Sequence, residues 1–121
     1  MDRIGDYDGP VFVGEHLRRV LVLPDDTWLE GWKLQSIELY DDGLVIRGWS
    51  ADDAGGTEGL GWDIEDDLGT RYEFFGGGGG GGGGGRWTSE CEVTPAVPRT
   101  ARMLTIVGEG AARVRVPLPE E

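Results

Sequence analysis

Between Arg86 and Thr94 the chain alternates without a slip. Trp87, Ser89, Cys91 and Val93 fall on one face of an extended segment, and Arg86, Thr88, Glu90, Glu92 and Thr94 on the other. Successive side chains of a strand point to opposite faces, so this is the pattern of a half-buried antiparallel strand, small or apolar side inward. The same two-residue period recurs along most of the chain. In 33–40, Ile37 and Leu39 share a face; in 44–49, Leu44 and Ile46 oppose Val45, Arg47 and Trp49. In 60–65, Leu60, Trp62 and Ile64 oppose Asp63 and Glu65. Segments 103–107 and 112–118 add two more, the second with Val114 and Val116 inward and closed by Pro117 and Pro119. Helical periodicity is nearly absent: its best candidate, 14–19, is short and runs into Val20-Leu21-Val22-Leu23. Roughly seven or eight short strands with no helix between them predict an all-β, antiparallel β-sandwich.

Turn chemistry suggests how the strands connect. Tyr40-Asp41-Asp42-Gly43-Leu44 and Asp66-Asp67-Leu68-Gly69-Thr70 each set Asp ahead of a Gly able to turn left-handed, the composition of a tight hairpin. The expected hairpins pair 33–40 with 44–49, 60–65 with 70–75, and 103–107 with 112–118 through Gly108-Glu109-Gly110. A further hairpin joins 70–75 to 86–94 across ten consecutive glycines, 76–85, read as a long flexible loop. A Gly-rich chain of ten residues spans roughly 16–19 Å, ample for adjacent strands. The run matches G-x-G-x-x-G in several registers, but a dinucleotide site needs a helix afterwards and a P-loop needs Lys then Ser or Thr. Here Arg86-Trp87 opens the cleanest strand of the protein, so no phosphate site is expected.

Composition removes several classes of function. A chain of 121 residues fits one domain, 1–121, with one core, in which Trp28, Trp32, Trp49, Trp62 and Trp87 are expected to fill much of the space. Eleven basic against 23 acidic side chains give a net charge of −12, which disfavours nucleic acid and anionic membrane surfaces as partners. Cys91 is alone, so neither an intramolecular disulfide nor a multi-cysteine metal site is available. The start, Met1-Asp2-Arg3-Ile4-Gly5-Asp6, lacks the basic and apolar regions of a secretory leader, and a cytoplasmic chain is expected.

Asp66-Asp67-Leu68-Gly69-Thr70-Arg71-Tyr72, the glycine run, Val93-Thr94-Pro95-Ala96-Val97-Pro98 and Leu104-Thr105 together carry a resemblance. Over 60–118 the chain resembles immunoglobulin-like β-sandwich domains of uncharacterised bacterial proteins. Such domains carry a D-D-x-G-T-x-Y hairpin before a variable loop, and more often Phe where Val93 stands. The resemblance implies an immunoglobulin-like sandwich, without the paired cysteines of antibody domains, and implies no activity.

No catalytic set is evident, and the chain is expected not to be an enzyme and to need no cofactor. His16 has no G-x-S-x-G elbow to serve, although Ser36, Ser50 and Ser89 are candidate partners for it. Glu73 with Glu90, or Glu58 with Asp63, would need a cleft to act as a glycosidase pair. Cys91, inward and beside Glu90 and Glu92, is expected to be an unreactive small hydrophobe. The acidic pairs Asp25-Asp26, Asp41-Asp42, Asp52-Asp53 and Asp66-Asp67 read as solvated turn residues. The leading functional expectation is a binding or accessory module for a protein partner, with Arg71, Phe75, Arg86 and Trp87 as an interaction spot flanking the glycine run. The alternative is a calcium- or small-ligand-binding domain using the acidic loops, favoured if those loops gather at one end.

Overall fold

The computed structural model describes residues 16–50, 62–81, 87–110 and 112–120, with the backbone alone at 75–81 and 87. Within them lie nine strands and no helix: β1 (Leu17–Val22), β2 (Trp28–Leu29), β3 (Trp32–Tyr40), β4 (Leu44–Ser50), β5 (Asp63–Asp66), β6 (Glu73–Gly81), β7 (Trp87–Thr94), β8 (Met103–Val107) and β9 (Arg113–Pro117). All pairings are antiparallel. The larger sheet runs β1-β3-β4-β7-β6, with β2 extending the β1 edge alongside β3; the smaller runs β5-β8-β9.

The two sheets face each other across one core. Leu34, Ile37, Leu39, Leu44, Ile46, Cys91 and Val93 supply it from the larger sheet, and Ile64, Leu104, Ile106 and Val116 from the smaller. The alternation in 87–94 holds over 88–91, where Ser89 and Cys91 are buried and Thr88 and Glu90 exposed; Val93 is buried too, but Glu92, on the charged face, is buried as well. Trp32 and Trp62 join the core, but Trp28 and Trp49 lie on the outer face of the larger sheet. An irregularity in the β3–β4 ladder between Leu34 and Ser36 decides this. It restores the phase of β3, so that Trp32 and Leu34 point inward while Lys33, paired with both Trp28 and Trp49, points out.

Three connections depart from expectation. The segment 17–22, whose first three residues belong to the helical candidate 14–19, is strand β1. Residues 76–81 of the glycine run are not loop but strand, laddered onto β7 from Glu92 to Trp87. Glycine carries no side-chain period, so nothing in the run betrays a strand until β7 supplies a ladder for it. The turn after β5 also does not close a hairpin with β6. Asp66 and its neighbours lead the chain from one sheet to the other, and β5 pairs with β8 instead. That choice sets Ile64 opposite Ile106, a cross-strand apolar pair that the glycine-rich β6 cannot match. The expected β3–β4, β6–β7 and β8–β9 pairings are all formed.

Candidate functional site

The outer face of the larger sheet is assembled from odd and even positions of five strands. Across it run Val20–Glu38–Val45–Glu92, then Val22–Ser36–Arg47–Glu90, then Trp28–Lys33–Trp49–Thr88. At its centre Arg47 Nε donates to Glu38 Oε2 at 3.0 Å and its Nη1 donates to Glu90. Tyr40 O–H donates to Glu38 Oε1 at 2.8 Å. The Arg47 hydrogen bond holds the Glu38 carboxyl below its ordinary range, and the Arg47 guanidinium is held charged in return. Burial and the bond to Glu38 both raise the Tyr40 hydroxyl. Cross-strand pairs of this kind align neighbouring strands.

Beside this charged row the β1–β2 edge is apolar. Leu17, Val20, Val22 and Trp28 are 45–81 % exposed, all on the outer face. Trp28 stands edge-on to Trp49, ring centroids 5.7 Å apart at 75°, an arrangement that favours a fixed aromatic pair. Lys33, the residue between them in register, reaches Asp25 at 3.8 Å. The run Leu17 to Val22 carries apolar residues on both faces of one strand; that doubling is the sequence signal for this edge, and the alternation template passes over it.

Of the residues expected to form a spot around the glycine run, Phe75 and Trp87 lie at different levels of the β6–β7 ladder. Phe75 sits at the irregularity between Phe74 and Gly76, near Glu92, whereas Gly81 pairs with Trp87. Five residue steps along β7 separate the two levels, roughly 17 Å of strand. Arg71 is exposed on the segment before β6, and Arg86 lies outside the described residues.

The acidic turns have structural employment. Asp66 Oδ1 accepts from the N–H groups of Leu68 (2.9 Å) and Thr70 (3.0 Å), and Oδ2 accepts from Tyr72 O–H (2.7 Å). Burial acts to raise this carboxyl, but the hydrogen bonds from Thr70, Tyr72 and Leu68 outweigh it and hold it low. The same enclosure raises the Tyr72 hydroxyl. Asp67 Oδ1 accepts from Arg102 N–H (2.9 Å) and Met103 N–H (3.2 Å), fastening the turn to the start of β8, and the Arg102 bond lowers its carboxyl. Asp25 and Asp41 stand beyond opposite ends of β3, and 52–53 lie outside the described residues. Among the described residues no three His, Cys, Asp or Glu side chains converge as metal ligands would.

The remaining chemical candidates are apart. His16, largely exposed, pairs with Asp41 at 3.3 Å, while Ser50 and Ser89 are buried on the inner face. Glu90 points outward opposite Arg47, and Glu73 pairs with Thr94 at the far end of β7; Glu58 lies outside the described residues. Ser89 and Cys91 line a cavity of about 10 Å³ with Trp32, Leu34, Ile46, Gly48 and Trp62. It has room for about one water molecule. Burial raises the Cys91 thiol; the nearby Ser89 hydroxyl opposes this slightly, yet no hydrogen bond of ordinary geometry reaches Ser89 Oγ. No described helix is long and apolar enough to cross a membrane.

No protein-family model matches the chain, and no curated protein or solved structure shows significant similarity to it.

Proposed function

We propose that this chain is a non-catalytic, immunoglobulin-like β-sandwich that works as a binding module, taking a protein partner on the outer face of its larger sheet along β1 and β2. The exposure of Leu17, Val20, Val22 and Trp28 on one face of one edge carries this reading. Isolated exposed apolar residues need no explanation, whereas a row of them on one face marks a docking surface. Trp28, braced by Trp49, has the character of an interface anchor: a large ring already fixed before binding. Beside the strip Arg47 engages both Glu38 and Glu90, and Lys33 reaches Asp25, so the fitting partner segment is an apolar one.

The strand order supports the immunoglobulin-like part. With β3 to β9 lettered A to G, the larger sheet reads A-B-E-D and the smaller C-F-G, the arrangement of constant-type immunoglobulin domains. Trp62, buried just before strand C, stands where such domains keep a core tryptophan. β1 and β2 are then additions outside strand A, and they carry the apolar strip.

The test is capture of a partner on the immobilised chain, followed by affinity measurement with variants. Trp28→Ser combined with Val22→Ser is expected to weaken binding by at least about tenfold, the scale of losing a tryptophan anchor. Leu68→Ser, an exposed apolar residue on the inter-sheet turn, is expected to bind as the parent does. Equal binding by the Trp28/Val22 variant, with its fold intact, would remove this face from consideration.

A further inference from the structure

Glu30 belongs to the turn between β2 and β3, but its carboxylate is held entirely by groups of the smaller sheet. Trp62 Nε1–H donates to Oε1 at 2.9 Å, Glu109 N–H donates to Oε1 at 3.1 Å, and Gly110 N–H donates to Oε2 at 2.8 Å. Two successive backbone N–H groups pointing into one concavity form an anion-binding nest, and the indole N–H completes a triangle of donors. Both carboxylate oxygens are engaged, which suits a planar, charged acceptor rather than an amide or a hydroxyl. Neighbouring geometry is shaped around the occupant. A Cβ on Gly108 would lie 2.6 Å from Glu30 Cδ, and Glu30 itself takes φ 52°, a region that costs a non-glycine residue energy.

The donors all lie on the lead into β5 and the β8–β9 turn of the smaller sheet and the acceptor arrives from the other, so the receptor half is complete without its occupant. We propose that Trp62 Nε1, Glu109 N and Gly110 N form a carboxylate receptor that the fold fills with its own Glu30. The receptor clasps the two sheets at this end and accepts a free small carboxylate once that side chain is removed. In the parent protein Glu30 is tethered at high effective concentration, so free carboxylates do not displace it.

Formate is the probe, titrated at constant ionic strength against chloride, with Glu30→Gly as the variant because glycine tolerates the positive φ. Expected is a saturable formate-dependent shift of the Trp62 indole N–H resonance in Glu30→Gly, a Tm that rises in formate but not in chloride, and neither response in the parent. A folded Glu30→Gly whose indole resonance ignores formate overturns the proposal, and so does a parent that responds equally. If Glu30→Gly does not fold, hydrogen exchange on the parent decides. One carboxylate covering three donors predicts that the Trp62 indole, Glu109 and Gly110 protons share protection. Free exchange at Glu109 and Gly110 while the indole is protected would overturn the receptor.

Discussion

After β3, Asp41 and its neighbours close a hairpin. Tyr40 N–H donates to Gly43 C=O at 2.8 Å, and β4 returns alongside β3, while the Asp41 carboxylate turns outward to His16 and Arg99. After β5, a turn of nearly the same composition carries the chain across to the other sheet. Here the Asp66 carboxylate turns inward on its own loop and Asp67 reaches Arg102 and the first residue of β8, 35 and 36 residues along the chain. Of the two turn glycines, Gly69 is the one among the described left-handed glycines, at φ 80°. The first carboxylate decorates a turn that the backbone already closes. The second replaces the ladder that a hairpin would have supplied, satisfying N–H groups locally so that the strands on either side can part. The difference shows that an Asp-Asp-Gly sequence specifies a turn and leaves open what the turn joins.

The comparison breaks most sharply at Asp66. Asp66→Ala strips acceptors from two backbone N–H groups and from the half-buried Tyr72 hydroxyl, and is expected to cost about 2–3 kcal/mol in urea unfolding. A cost near zero would mean that the crossover stands without its side-chain knot. The acid limb should change with it. Asp66 titrates below its unfolded value of 3.8 in the native protein, so on acidification the unfolded chain binds the proton first. The stabilisation from Asp66 is therefore complete above about pH 5 and lost as pH falls through the depressed native pKa. The variant should show a shallower loss of stability below pH 5 than the parent.

Gly69→Ala comes next. A Cβ there meets nothing within 4 Å, so the whole effect is the left-handed backbone, about 1 kcal/mol by the same measurement. Asp41→Ala should do least. Its partners, His16 at 3.3 Å and Arg99 at 3.5 Å, are exposed, and the change is expected to stay within about 0.5 kcal/mol. A loss as large as that of Asp66→Ala would erase the distinction between the two turns.

Much of the fold is legible residue by residue. The faces of β4, β7 and β9, and of β3 beyond its irregular step, follow from alternation, and Ile37, Leu39, Leu44, Ile46, Cys91 and Val93 are core positions as that period requires. The candidate face was less legible. Trp28 and Trp32 are the same residue type four positions apart, yet one is half exposed and the other buried, because of an irregular step in the β3–β4 ladder. Glu30 gives no sign in the sequence, since its three donors come from 62, 109 and 110.

The Asp66-Asp67-Leu68-Gly69 turn divides the two kinds of information. That a turn forms there, with an aspartate accepting from residues two and four ahead, follows from sequence alone, because those interactions run between near neighbours. That it leaves one sheet for the other was decided only by the tertiary structure. Sheet membership depends on which distant strand buries Ile64 best, and Ile106 on β8 competes for it against the glycines of β6, whose pairing with β7 is likewise fixed only at long range.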